Sequence, residues 1–147
     1  PGGGLTAVEF LRDYWQKKPL LLRGAFPDFE PELDADDIAG LACDELAESR
    51  LITGPAPNGR WALRHGPFDD GDFAALPETG WTLLVQDVEK HLPELATLME
   101  RFDFIPPWRL DDLMVSFAVP GGSVGPHVDA RREQRCRRAS GHGVAQR

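Results

Sequence analysis

The pattern of apolar and polar residues divides most of the chain into short helices and strands, separated by glycine- and proline-rich turns. A capping box at Thr6 and Glu9, followed by apolar residues at helical spacing, predicts a first helix that ends at Lys17. Further helices are predicted over 34–46, 69–76 and 92–102. Strands are predicted over 20–23, 49–53, 60–63, 81–88 and 113–119.

Strands that follow one another across short turns indicate an antiparallel sheet, and the early helices are expected to pack on it. This is an α+β fold. No domain boundary is apparent before residue 129. Residues 130–147 contain six Arg and no Leu, Ile, Met or aromatic residue, so they cannot supply a core strand. We expect them to form an irregular Arg-rich tail.

Composition fits one globular domain: the chain has 147 residues, of which 41% are hydrophobic. No apolar stretch is long enough to span a membrane, and no signal peptide is visible. Two unclustered cysteines, Cys43 and Cys136, are compatible with a reducing, cytoplasmic compartment. The net charge of −8 would attract a basic partner, although simple solubility explains it equally well.

The candidate chemistry lies in a glycine-rich segment, 120–129, that ends in His-x-Asp. In an extended strand His127 and Asp129 would project on the same side, and we expect them to open into the main concavity of the domain. One imidazole and one carboxylate are two thirds of the triad that holds Fe(II) in non-haem oxygenases. His142, between two glycines, is not expected to complete it. His65 and His91 are expected to be surface or hydrogen-bonding residues.

Four segments together carry a family resemblance. They are 10–23 (FLRDYWQKKPLLLR), 81–88 (WTLLVQDV), 108–116 (WRLDDLMVS) and 120–129 (PGGSVGPHVD). Taken in order, they resemble the cupin-like JmjC ribosomal oxygenases, in particular the bacterial hydroxylases that modify an arginine of a ribosomal protein. The resemblance runs from Leu5 to Asp129, and it implies that residues 1–129 form the N-terminal part of a JmjC/cupin-like domain. The family pattern is lost after Asp129, as if the C-terminal part were missing or read out of frame.

The resemblance implies an incomplete double-stranded β-helix, Fe(II) bound by His127 and Asp129, and 2-oxoglutarate as co-substrate. It implies hydroxylation of an arginine in a large-subunit ribosomal protein, a possible homodimer, and no direct contact with nucleic acid or membrane. Ser116 could line the cofactor pocket, with a simple strand position an equal alternative. The third iron ligand and the anchor for 2-oxoglutarate cannot be identified.

Two hypotheses therefore remain open. The chain is an oxygenase, or it is a non-catalytic truncated remnant that keeps the N-terminal fold or a binding surface. A different cupin-like metalloenzyme, with His-x-Asp holding another divalent ion, is a third option. Because two protein ligands leave most coordination positions to water, we expect weak Fe(II) binding and no measurable hydroxylase activity from this chain.

Overall fold

A computed structural model of the chain describes residues 4–127. The strands are β1 (Ser49–Thr53), β2 (Ala62–His65), β3 (Trp81–Val85) and β4 (Val115–Ala118), which form one antiparallel sheet in the order β2-β1-β3-β4. The helices are α1 (Ala7–Asp13), α2 (Ala35–Ala42), α3 (Asp70–Ala74), α4 (Val88–His91) and α5 (Pro93–Glu100), with a 3-10 turn at Pro107–Arg109. The predicted α+β class is confirmed.

Helices α1 and α2 begin where the sequence predicts, but both end earlier than predicted. Capping boxes begin α1 at Thr6 and α2 at Asp34, as predicted for the first of them. The first helix ends at Asp13 rather than Lys17, since the chain turns into a left-handed conformation at Gln16 (φ 57°). The second ends at Ala42 rather than at residue 46, because the Asp44 side chain accepts the Leu46 N–H in a new turn.

Several other boundaries also differ from the predictions. Residues 20–23 do not form a strand, and Leu21 is 75% exposed. The strand predicted at 60–63 lies at 62–65, and the one predicted at 81–88 ends at Val85. Asp87 then adopts φ 55° and begins α4, and Pro93 starts a separate helix, α5, at a position where its missing N–H costs nothing.

The register of the strands defines a helix-covered face of the sheet. Leu83 is flanked by Leu51 and Phe117, and Val85 is flanked by Ser49 and Val115. Leu51, Leu83 and Val85 are at most 1% exposed. The buried apolar side chains that share their core come from α2, α4, α5 and the connecting loops, and they are Ile38, Ala42, Ala47, Phe68, Val88 and Leu95. Apolar burial on this face therefore holds the helices to the sheet.

The other side of the same strands forms what we call the mixed face, which consists of Arg50, Ile52, Thr82, Leu84, Ser116 and Ala118. Thr82 and Leu84 are buried, whereas Ser116 and Ala118 are exposed. The buried atoms Thr82 Oγ1 and Arg50 Nε lack a hydrogen-bond partner among the described residues. Within residues 4–127 no helix is long and apolar enough to cross a membrane.

Candidate functional site

The glycine-rich loop, residues 120–127, begins against the first residue of β3. The Val119 N–H donates to the Trp81 carbonyl at 3.3 Å, and the Gly80 N–H donates to the Pro120 carbonyl at 3.0 Å. The loop therefore continues from β4 while hydrogen bonds tie its start to the neighbouring strand. This fixes where the segment that carries His127 leaves the sheet.

Two glycines of the loop are required by its geometry. A Cβ at the buried Gly122 would lie 2.1 Å from the Trp81 carbonyl oxygen, so no other residue fits there without a backbone shift. Gly125 adopts φ 72°, in the left-handed region, and a Cβ there would lie 3.0 Å from the Trp61 indole. The glycines predicted to permit a tight approach thus allow the loop to contact both tryptophans.

His127 is exposed, and its Nδ1 lies 3.0 Å from the Gly125 carbonyl oxygen. Because a carbonyl only accepts hydrogen bonds, Nδ1 carries the proton in this contact, and the lone pair of the neutral ring belongs to Nε2. Metal-binding histidines commonly donate their second N–H to a carbonyl in this way. The local geometry therefore suits a histidine ligand.

The structure describes only one residue of the predicted metal-binding pair, His127. His127 lies in irregular backbone, not in the extended strand that the spacing suggested. Asp129, Cys136, His142 and the Arg-rich tail at 130–147 lie outside the described residues. The side-by-side placement of His127 and Asp129, and the exclusion of His142, stay predictions.

Ser116 lies on the mixed face, exposed and paired across the sheet with Leu84. Its place two residues after Met114 puts both side chains on one side of the chain, and Met114 Sδ lies 3.9 Å from Arg50 Nη2. The assignment of Ser116 to a cofactor pocket remains a prediction.

A polar network near the opposite end of the sheet was not anticipated. The Arg50 guanidinium donates to Gln86 Oε1, and Gln86 Nε2 donates to Asp112 Oδ2 at 3.4 Å. Asp112 also accepts the Asp87 N–H at 3.3 Å, beside the left-handed turn that begins α4. These contacts join β1, the residues that follow β3, and the segment before β4, and their residues are far apart in sequence.

Other candidate ligands do not gather around His127. His65 is exposed on β2, and His91 is the last residue of α4. Within residues 4–127 no three His, Cys, Asp or Glu side chains are arranged to hold a metal ion. Two grooves flank α2, and neither is lined by His127, so the concavity expected at His127 stays a prediction.

The second of these grooves lies between α2 and α3, and Cys43 is one of its lining residues. Burial raises the pKa of the Cys43 thiol, and the nearby carboxylates of Asp70, Asp69 and Asp72 raise it further. A thiol whose pKa is raised is a poor nucleophile and a poor metal ligand at neutral pH.

Comparison with known proteins relates this part of the chain to ribosomal oxygenases. The chain is 46% identical over 125 residues to the ribosomal protein uL16 3-hydroxylase of Escherichia coli, a match that covers 85% of the chain and 32% of that protein. It is 44% identical over 125 residues to a probable ribosomal oxygenase of Haemophilus influenzae, covering 85% and 30%. Over this stretch the chain is homologous to the ribosomal oxygenases. It spans about a third of the length of these relatives.

Solved structures agree with the sequence match. The ribosomal oxygenase YcfD of Escherichia coli, in complex with cobalt and succinic acid, superposes with a TM-score of 0.77 at 44% identity, covering 87% of this chain and 34% of YcfD. A complex of YcfD with cobalt and 2-oxoglutarate matches equally well. No family model matches the chain. The fold is therefore that of part of a ribosomal oxygenase.

Proposed function

We propose that this chain contributes the His-x-Asp segment of an Fe(II)- and 2-oxoglutarate-dependent oxygenase that hydroxylates an arginine of a large-subunit ribosomal protein. The observation that carries the proposal is the 46% identity to a uL16 3-hydroxylase, supported by the superposition on a related enzyme that binds cobalt with 2-oxoglutarate. Cobalt is a common substitute for iron(II) at sites of mixed nitrogen and oxygen donors. Activity requires a third ligand beyond the two proposed.

His127 and Asp129 would hold the metal. The His127 ring already donates Nδ1–H to the Gly125 carbonyl, which leaves the Nε2 lone pair as the donor to a metal. An imidazole and a carboxylate form a donor set that Fe(II) accepts. When bound, the iron with 2-oxoglutarate would supply the oxidising chemistry, while these side chains fix the position of the metal and leave the remaining coordination positions open.

The charge of the chain supports a basic substrate. One groove beside α2 is lined by five carboxylates, from Glu32, Asp36, Asp37, Asp44 and Glu94. With a net charge of −8, the chain would attract an arginine-rich ribosomal protein and repel nucleic acid. We place the reaction in the cytoplasm, where such a substrate is made, and we propose a homodimer from the family resemblance.

Metal binding to the 147-residue chain tests this assignment directly. Titration with Co(II) under anaerobic conditions should show a weak site whose absorption band disappears in His127→Ala and in Asp129→Ala. The matched control is His65→Ala, which removes another exposed imidazole and should leave the band unchanged. Equal Co(II) binding by wild type and His127→Ala would overturn the assignment.

The same variants separate the oxygenase from a non-catalytic remnant. The chain is incubated with a ribosomal-protein peptide, Fe(II), 2-oxoglutarate and O₂, and the peptide is weighed by mass spectrometry. A gain of one oxygen atom that needs 2-oxoglutarate and is lost in His127→Ala would establish hydroxylation by this chain. If His142→Ala abolished tight metal binding, His142 would be the third ligand.

A further inference from the structure

We propose that Trp61 is a positioning residue for His127: its indole holds the Gly125 peptide, whose carbonyl orients the imidazole ring. This inference rests on the proposed function for its purpose, because orientation of His127 matters if that ring binds a metal. It concerns a residue outside the sequence segments that carry the family resemblance.

The contact between the Trp61 ring and the loop is close. Three indole atoms lie 3.0–3.4 Å from where a Cβ of Gly125 would stand, so only a glycine lets the backbone approach this near. The same ring is contacted by Gly54, where a Cβ would lie 3.2 Å from Trp61 Cε3. Both glycines have positive φ, at 135° and 72°. Trp61 is thus in contact with two backbone segments from distant parts of the chain.

The link from Trp61 to His127 is short and stiff. The Gly125 N–H donates to Ser123 Oγ at 3.1 Å, and the Gly125 carbonyl accepts from His127 Nδ1 at 3.0 Å. Only Pro126 separates that carbonyl from His127, and its ring fixes the backbone angle φ. A displacement of Gly125 would therefore move its carbonyl oxygen, which is the hydrogen-bond acceptor that favours the Nδ1–H form of His127.

Trp81, the other tryptophan beside the loop, differs from Trp61. The Trp81 ring packs against Phe117 at 5.7 Å between centroids, joins the hydrophobic core, and donates its indole N–H to the Pro77 carbonyl at 2.7 Å. Trp61 is half-buried and is not part of that core cluster. Its contacts with Gly54 and Gly125 therefore indicate a role in placing the loop more than a role in the main core.

Histidine tautomers measured by NMR test the proposal without any metal. In ¹⁵N-labelled full chain, at a pH where the imidazoles are neutral, the His127 ring nitrogens should report Nδ1–H as the dominant form. Trp61→Leu should shift His127 towards the mixture of tautomers found in a free imidazole. Trp61→Phe keeps an aromatic ring and should fall between the two. Trp108→Leu, which replaces a 77% exposed tryptophan elsewhere, should leave the His127 signals unchanged.

Co(II) affinity provides the second readout. Loss of a group that orients a metal-binding histidine typically weakens metal binding by about 10-fold or more, which is the effect expected for Trp61→Leu. Trp61→Phe should recover part of that affinity, and Trp108→Leu should keep all of it. Circular dichroism checks that each variant folds. If Trp61→Leu does not fold, the tautomer ratio of Trp61→Phe decides, with an intermediate value supporting the proposal.

The two readouts keep this inference distinct from the proposed function. An unchanged His127 tautomer in folded Trp61→Leu, or in Trp61→Phe if Leu is not tolerated, would overturn the role of Trp61 whether or not cobalt binds. A shifted tautomer in a chain that binds no Co(II) through His127 would support the role of Trp61 and overturn the metal assignment.

Discussion

The two faces of the sheet are formed by the same strands, but one is mostly apolar and the other combines apolar with polar residues. On the helix-covered face Leu51, Leu83 and Val85 are almost completely buried against helices. On the mixed face apolar and polar residues alternate with one another, and Ser116 and Ala118 are exposed. The main hydrophobic core lies on the first face, whereas the second face buries Leu84 beside polar residues.

The two faces also differ in whether their buried polar atoms are hydrogen-bonded. Ser49 is buried on the helix-covered face, and its hydroxyl donates to the Ala42 carbonyl at 3.2 Å. On the mixed face Thr82 is equally buried, but its hydroxyl lacks a partner among the described residues, as does Arg50 Nε. An unsatisfied buried polar group costs about 1–3 kcal/mol, so the mixed face carries a cost that the other face avoids.

Truncating Leu83 should give the largest effect. Leu83→Ala removes a side chain that is 1% exposed at the centre of the helix-covered face, and we expect the free energy of unfolding to fall by about 2–5 kcal/mol. Ser116→Ala, on the exposed part of the mixed face, should change it by less than about 0.5 kcal/mol. Urea unfolding followed by circular dichroism measures both. Similar losses in the two variants would remove the contrast between the faces.

Removing the Thr82 hydroxyl should act in the opposite direction. Thr82→Val keeps the branched shape and deletes an unsatisfied buried oxygen, so we expect the free energy of unfolding to rise by about 1 kcal/mol. Ser49→Ala is the matched control on the other face. Ser49→Ala removes the hydrogen bond to the Ala42 carbonyl, so we expect the free energy of unfolding to fall by about 1 kcal/mol. A loss of stability in Thr82→Val would mean that the hydroxyl has a partner in the folded protein.

We expect the smallest effect on stability from replacing Arg64, at the margin of the helix-covered face. Arg64 of β2 is hydrogen-bonded there to Asp72 of α3. This bond, the Asp69 N–H and the Arg64 charge lower the pKa of the Asp72 carboxyl below its ordinary value of 3.8. Arg64→Met should return the pKa of Asp72 towards that value, as measured by carboxyl ¹³C shifts during acid titration.

The sign of the pH dependence follows from the lowered pKa of Asp72. A carboxyl whose folded pKa is lowered stabilises the protein above its unfolded pKa and loses that contribution as pH falls through the folded pKa. The stability difference between wild type and Arg64→Met should therefore be constant near neutral pH and vanish in strong acid. A difference that persisted below the folded pKa would point to packing by the Arg64 stem instead of its charge.

The sequence was informative where local rules dominate. The strand at 49–53 was predicted with the bounds that β1 has, and the capping box at Thr6 began the first helix as expected. The strand predicted at 20–23 was wrong, because an apolar run forms a strand only if another strand is available to pair with it. The helix predicted over 92–102 is α5, Pro93–Glu100, whereas the short helix α4 before it was not predicted.

The sequence by itself determined the fold class, the resemblance to the ribosomal oxygenases, and the glycine loop that leads to His127. These follow from short-range periodicity, turn residues and ordered motifs that are written along the chain. Only the tertiary structure showed that the Trp61 indole contacts Gly125, and that the Gly125 carbonyl meets Nδ1 of His127. The physical reason is that sheet pairing and loop closure bring Trp61 and Gly125 together, and no local preference encodes a contact between residues 64 positions apart.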